Sequence, residues 1–232
     1  MTKITQSFIF AAGRGERMRP LTDTIPKPLV KIKNKAIIDH IIAEIAVFDK
    51  IIINGFYLAD EIENHIKNLQ NKKIVFSREP SKIETGGGLF FAAKNKKFDI
   101  TKPIFIVNGD ILWQGKGDIE MLCNAYQSRD CDILLGLTKT KNFTGYQGKG
   151  DFNLLENGNL QSNEGNNCDY TFVGLQIVNP KILEKSPSSA FSMSYFYKNS
   201  KNLGIKIQGI ELQSKYFHIG DMAAIAVVDR LF

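Results

Sequence analysis

No apolar run in the chain approaches the roughly 18 residues that a membrane-spanning helix needs. The short apolar stretch at 8–12 gives way at once to charged residues, so a secretory leader is not expected. Only three cysteines occur, Cys123, Cys131 and Cys168. Their spacing suits neither a disulfide framework nor a thiolate metal site, and none has an obvious catalytic partner. They read as buried or partly buried thiols in a reducing cytoplasm. The chain has no internal repeat, low-complexity tract or linker. It is basic, with 30 Lys and Arg against 24 Asp and Glu. Those charges form no aromatic-interleaved stripe, which argues against nucleic acid as a partner.

What is present suffices for a core. With 232 residues, 43% of them hydrophobic, one domain is expected. Strand-like runs at 7–11, 50–54, 73–77, 103–108 and 133–137 alternate with helical patterns at 36–47, 57–69, 88–94 and 118–128. Strands separated by helix-length segments predict βαβ units. The expected fold is α/β, a Rossmann-like, three-layer, mostly parallel sheet covered on both faces. After residue 139 the texture changes. A polar, glycine-rich loop at 142–150 precedes a hairpin through Asn157-Gly158 and a strand at 170–178. This predicts an inserted antiparallel portion.

Chemistry concentrates just after the first strand, from Ala11 to Leu29. Gly13 and Gly15 lack the Cβ that would keep backbone N–H groups away from a phosphate. Arg14, Arg17, Arg19 and Lys27 supply positive charge for its oxygens. The spacing is not that of a P-loop, which ends in Gly-Lys-Ser/Thr. It is not a full dinucleotide fingerprint either, because Met18 stands where the third glycine would fall. The surplus charge and the rigid Pro26-Lys27-Pro28 favour a nucleoside triphosphate. Lys27 suits a fixed ammonium at the reacting phosphates, and Arg17 suits the β- and γ-phosphates. Ala12 and Gly13 suit nucleobase and ribose, with Gly15 and Glu16 completing the loop. Arg14 and Arg19 are either auxiliary or exposed.

Further along, Asp110 ends an apolar strand at 104–107, poorly placed for packing and well placed for Mg²⁺. The alternative is a cap on the next element. Asn108 can face the same pocket and bond a substrate hydroxyl. Gly86 and Gly87 suit a second wall against a flat base, or a helix-start turn. Glu84 suits the base edge or a cap. Ligands of open α/β sheets bind outside the carboxyl ends of the strands. The opening loop, 84–88, 108–110 and 218–221 all end there on this reading.

The pattern Gly13-x-Gly15-x-Arg17-Met18-x-Pro20-Leu21-Thr22, followed by Pro26-Lys27-Pro28-Leu29, resembles the signature of the sugar-1-phosphate nucleotidylyltransferases. Glu84-Thr85-Gly86-Gly87-Gly88, Val107-Asn108-Gly109-Asp110, Gly150-Asp151-Phe152 and Phe172-Val173-Gly174 follow in the family's order. The Glu84-Thr85-Gly86-Gly87-Gly88 and Asn108-Gly109-Asp110 motifs resemble one branch, the N-acetylmuramate-1-phosphate uridylyltransferases of cell-wall recycling. The resemblance implies a cytoplasmic enzyme of the nucleotide-diphospho-sugar transferase fold. It implies transfer of a nucleotidyl group from UTP to N-acetylmuramate 1-phosphate, with pyrophosphate released. Lys27 and Arg17 would be catalytic. Mg²⁺, or Mn²⁺, would sit at Asp110. The sugar would lie against Asn108, Asp151, Thr171 and Gly174, although Asp151 also fits a hairpin start. About 1–139 would then be a nucleotide-binding core and about 140–232 a sugar-binding and closing portion of one domain, 1–232.

Guanylyl- and thymidylyltransferases acting on other sugar phosphates, and phosphocholine cytidylyltransferases, share the opening motif. A hexapeptide repeat is absent, which argues against a bifunctional enzyme. The chain also departs from the family. The run Tyr216-Phe217-His218-Ile219-Gly220-Asp221 puts His218 where a second metal-binding Asp usually stands. Imidazole is a poor Mg²⁺ ligand. Either Asp110 and phosphates hold the metal alone, or His218 binds a softer ion, or Asp221 substitutes. The departure also leaves room for a catalytically weak nucleotide-sugar sensor or regulatory subunit.

Overall fold

A computed structural model of the chain describes residues 3–162, 167–187 and 190–232. The chain enters as β1 (Gln6–Phe10) and passes through three 3₁₀ turns, at Glu16–Met18, Leu21–Asp23 and Lys27–Leu29. A short hairpin, β2 (Lys31–Ile32) and β3 (Lys35–Ala36), leads into α1 (Ile37–Glu44). Then come β4 (Lys50–Gly55), α2 (Ala59–Asn68), β5 (Ile74–Arg78), α3 (Glu84–Lys94) and β6 (Ile104–Asn108). β7 (Ile111–Gln114), α4 (Asp118–Gln127), β8 (Ile133–Lys139) and β9 (Phe143–Thr144) follow. β10 (Phe152–Leu154) and β11 (Leu160–Ser162) form the hairpin, and β12 (Tyr170–Val178) follows it. A 3₁₀ segment at Pro180–Lys185, α5 (Ser194–Leu203), β13 (Ile207–Glu211), β14 (Lys215–His218) and α6 (Met222–Leu231) complete the order.

The main sheet runs β5-β4-β1-β6 with every pair parallel. β12 lies next, antiparallel to β6, and β8 pairs antiparallel to β12. β13 closes that side parallel to β8. The antiparallel strand is thus seated inside the sheet, and the β10–β11 hairpin hangs from its start.

Strand periodicity explains the layers. Phe8 and Phe10 of β1, Ile52 of β4, and Ile104 and Ile106 of β6 point to one side. There they meet Leu89 and Ala92 of α3 and Phe196 of α5. Ile9, Ile51, Ile53, Phe105 and Val107 point to the other side. They meet the isoleucine stripe of α1, Ile62 and Ile66 of α2, and Val228 of α6. Both faces are apolar because both are covered. Each fully buried Ile or Phe removes enough apolar surface to contribute about 1.5–3 kcal/mol against exposure.

Two features differ from the sequence expectation. α3 begins at Glu84, so the three glycines lie inside the helix and not ahead of it. Beside the main sheet stands a small one, β7-β14-β9; β14 falls on a strand-like run at 216–219, but its pairing with β7 and β9 shows in no local pattern. Its β7–β14 pairing sets Ile111 opposite His218. No helix among the described residues is long and apolar enough to cross a membrane.

Candidate active site

A cleft of about 440 Å³ opens beyond the carboxyl ends of β1, β4, β5 and β6. The opening loop forms its first wall, with Ala12, Gly13, Gly15, Glu16 and Arg17 all on the lining. Gly15 has φ +63, the left-handed turn region that favours glycine. A Cβ there would lie 2.9 Å from Thr22 Cγ2 and 3.1 Å from Lys27 Cβ. The Gly15 carbonyl accepts from Met18 N–H and from Thr22 Oγ1, each at 2.8 Å. The loop is therefore folded back onto Lys27. A Cβ at Gly13 would meet nothing within 4 Å, so that backbone faces open space. Arg14 and Arg17 are exposed on the lining, and Arg17 has no ion-pair partner among the described residues. Arg19 turns away to Asp23, 3.2 Å distant, and takes no part in the cleft.

Lys27 starts a 3₁₀ turn between two prolines, and its Nζ lies 2.8 Å from Asp110 Oδ2. His218 Nε2 approaches the same oxygen at 3.6 Å. Burial alone would raise the Asp110 pKa. The Lys27 ammonium, with His218, outweighs it and holds the carboxyl well below the usual range. Asp110 Oδ1 has no protein partner among the described residues. The small sheet makes this geometry, since Ile219 N–H donates to the Asp110 carbonyl at 2.9 Å as β14 passes β7. Buried Asp118, at the start of α4, accepts from Gln213 N–H, Ser214 N–H and Tyr216 Oη, which fixes the entry of β14. Asp221 is occupied otherwise. It caps α6, accepting from Ala224 N–H at 2.8 Å.

The second wall is Lys82, Ile83, Glu84 and Thr85. Glu84 has φ +62, an uncommon conformation for a residue with a side chain, and its carboxylate pairs with Lys82 at 3.3 Å. Gly86 and Gly87, expected as a second wall against the base or as a helix-start turn, lie within the first turn of α3. Both are buried in α3, off the cleft lining. Gly87 N–H donates to the Phe191 carbonyl at 2.8 Å, and a Cβ on Gly86 would fall 2.3 Å from the Phe191 ring. These glycines admit the 191–193 segment. Gly86→Ala is accordingly expected to destabilise the fold by about 1–3 kcal/mol, read as a lowered urea midpoint.

Asn108 lines the cleft, and Gly174 packs against it across the irregular stretch of β12. Asp151 and Thr171 do not line the cleft. Asp151 accepts from Phe172 N–H at 2.9 Å and Tyr146 Oη at 3.3 Å, and burial raises its pKa. Thr171 is buried, its Oγ1 3.0 Å from Thr140 Oγ1. Both hold the loop that carries Gly145 to Gly148. That loop borders a smaller cavity of about 160 Å³, which shares Arg17 and Gly220 with the cleft. Tyr146, Gln147, Lys82, Asn54 and Glu79 line one space or the other without having stood out in the sequence. They carry no motif, and only the fold gathers them.

A sequence model described as nucleotidyl transferase matches residues 6–148, more than half of the chain. The chain belongs to the nucleotidyl transferase family. A relative in Caulobacter vibrioides, N-acetylmuramate alpha-1-phosphate uridylyltransferase, is 30% identical across 97% of this chain and 96% of its own length. One of the same name in Neisseria meningitidis is 33% identical over 77% of each. The fold is shared with the inositol-1-phosphate CTP transferase of T. maritima, at TM-score 0.82 and 13% identity over 100% of this chain and 96% of that one. It is shared also with HddC of Yersinia pseudotuberculosis, a structure complexed with GMP-PN, at TM-score 0.75 and 20% identity over the whole of both chains. As a nucleotidyl transferase this chain is an enzyme.

Proposed function

We propose that this nucleotidyl transferase moves a uridylyl group from UTP onto N-acetylmuramate 1-phosphate. The observation that carries the reading is the single cleft in which Lys27, Arg17 and Asp110 meet the glycine turn. The Caulobacter relative, similar over nearly its whole length, supports the choice of base and sugar.

The acceptor's phosphate oxygen attacks the α-phosphorus of UTP. A P–O bond forms there as the bond to the β-phosphate breaks, and pyrophosphate leaves. The nucleophile is already an anion, so the protein supplies positioning and charge rather than a base. Lys27, fixed by its prolines, neutralises the reacting phosphates, and Arg17 takes the charge that builds on the leaving group. Ala12, Gly13, Gly15, Glu16 and Glu84 hold the nucleotide, with Asn108 and the cavity beside Tyr146 on the acceptor side. The first 139 residues carry the nucleotide half of this division and the remainder most of the acceptor half.

Asp110 fits a hard divalent cation, Mg²⁺ above all. One oxygen is held by Lys27 while the other is left without a protein partner. When bound, such an ion would screen the triphosphate against the incoming phosphate. No group of three or more His, Cys, Asp or Glu suited to a metal occurs among the described residues, which is in keeping with one carboxylate plus substrate oxygens.

Pyrophosphate release from UTP, Mg²⁺ and N-acetylmuramate 1-phosphate tests the reading against a panel of other nucleotides and sugar phosphates. Preference for another pair would overturn the choice of substrate. A second test concerns His218. Replacing imidazole by a hard oxygen beside Asp110 in His218→Asp is expected to lower the Mg²⁺ concentration for half-maximal rate by about tenfold. An unchanged requirement would mean the side chain at 218 does not reach the ion.

A further inference from the structure

We propose that Asn54 is a positioning residue for the phosphate-binding turn and that it works through Glu79. The backbone ladders of β1 end just before that turn. The register of β1 with β4 closes at Ile9 and Ile53, and that with β6 at Phe10 and Asn108. At the next residue a side chain takes over. Asn54 Oδ1 accepts the Ala11 N–H at 2.6 Å, and Asn54 Nδ2 donates to Glu79 Oε1 at 2.6 Å. Glu79 is tied in turn through its own N–H, which donates to the Gly55 carbonyl at 2.8 Å.

Asn54 is 2% exposed and Glu79 5%, yet both reach the lining of the cleft. Ala11 leads directly into Ala12 and Gly13, so the direction of its N–H sets where the following backbone faces. The pair also spans the cleft floor, from the end of β1 to the start of the second wall. The third glycine of the α3 run belongs to this arrangement. A Cβ on Gly88 would stand 2.4 Å from Glu79 Oε1 and 2.7 Å from Asn54 Nδ2. Gly88 thus leaves room for the pair, as Gly86 does for Phe191.

The chemistry requires an amide at position 54. A carboxamide accepts from one partner and donates to the other at once. A carboxylate there could still accept from Ala11, but it could meet Glu79 only across a proton held between two buried acids, a link the amide makes without any protonation. Burial pushes Glu79 up to about 7 even with the Asn54 bond opposing it, so the site has little tolerance for a second carboxylate.

The inference rests on a nucleotide occupying the cleft, and the test separates the two. UTP affinity with Mg²⁺ is measured by calorimetry, and KM for UTP and kcat by pyrophosphate release. Asn54→Asp is expected to weaken UTP binding and raise its KM by at least about tenfold, with a smaller change in kcat. Asn54→Ala, which removes the link without adding charge, is expected to weaken it by about fivefold to tenfold. Combining Asn54→Asp with Glu79→Gln exchanges donor and acceptor. The glutamine amide then donates to the new carboxylate, which still accepts from Ala11. UTP affinity should return to within about threefold of the starting protein.

The proposal is overturned if Asn54→Ala or a folded Asn54→Asp binds UTP as the starting protein does and only the melting temperature falls. It is equally overturned if the exchanged pair binds UTP no better than Asn54→Ala. That comparison holds even if Asn54→Asp alone does not fold. A starting protein that binds no UTP would instead overturn the proposed nucleotide.

Discussion

Lys27→Ala is expected to lower kcat/KM by about 10³-fold, measured as pyrophosphate release. The side chain is 12% exposed and held by flanking prolines, so its ammonium is fixed before substrate arrives. A charge already oriented in a partly desolvated site needs no reorganisation as phosphate charge moves, which is why its removal weighs so heavily. Lys27→Arg is not expected to restore the rate. The planar fork is larger and cannot place one compact charge 2.8 Å from Asp110 Oδ2. The loss should also depend on pH. Burial raises the Asp110 pKa, and Lys27 leads the groups that lower it. Without the ammonium, the Asp110 pKa rises. The acidic limb of the rate profile should then move to higher pH. A rate within threefold of the starting protein would remove Lys27 from the proposed chemistry.

The opening-loop wall of the cleft was largely legible in the chain. Gly13, Gly15, Arg17 and Lys27 lie within one loop, and a loop of fifteen residues keeps its chemistry adjacent in the sequence. The parallel half of the sheet was legible for a similar reason, because isoleucine runs bounded by amphipathic stretches are local signals. The β7-β14-β9 sheet was not. Its strands are two to four residues long and join segments about seventy to a hundred residues apart, so no local pattern shows their pairing; the nearness of His218 to Asp110 was expected only from the resemblance, which puts 218 at a metal position. The role of Gly86 and Gly88 was hidden likewise. A glycine reads the same whether it admits a ligand, a phenyl ring or a carboxylate, and only the neighbours tell which. Asp151 shows the converse. Its motif is plain, yet its carboxylate is turned to Phe172 N–H and Tyr146 Oη, where it shapes a loop.

Asp110→Asn separates two roles that the resting site combines. The change is nearly isosteric but leaves one neutral amide oxygen in place of two anionic ones, so Lys27 loses its counter-charge and the proposed cation its anionic ligand. Turnover is expected to fall by about 10³-fold, since the hard anionic ligand is gone. Affinity for UTP in the presence of a chelator should move the other way. In the starting protein Lys27 is engaged at 2.8 Å by Asp110, and a metal-free triphosphate meets a carboxylate as well as an ammonium. With an amide at position 110 the repulsion is removed and the ammonium is free. Metal-free UTP should bind several-fold more tightly, by about 1 kcal/mol for relief of a partly exposed charge pair. Added Mg²⁺ should then improve binding little or not at all. The combination is specific. A variant that merely loosened the cleft would lose affinity with and without metal, and one whose carboxylate had no part in the site would keep its turnover. Tighter metal-free binding together with lost turnover is the outcome that Lys27, Asp110 and a shared triphosphate require.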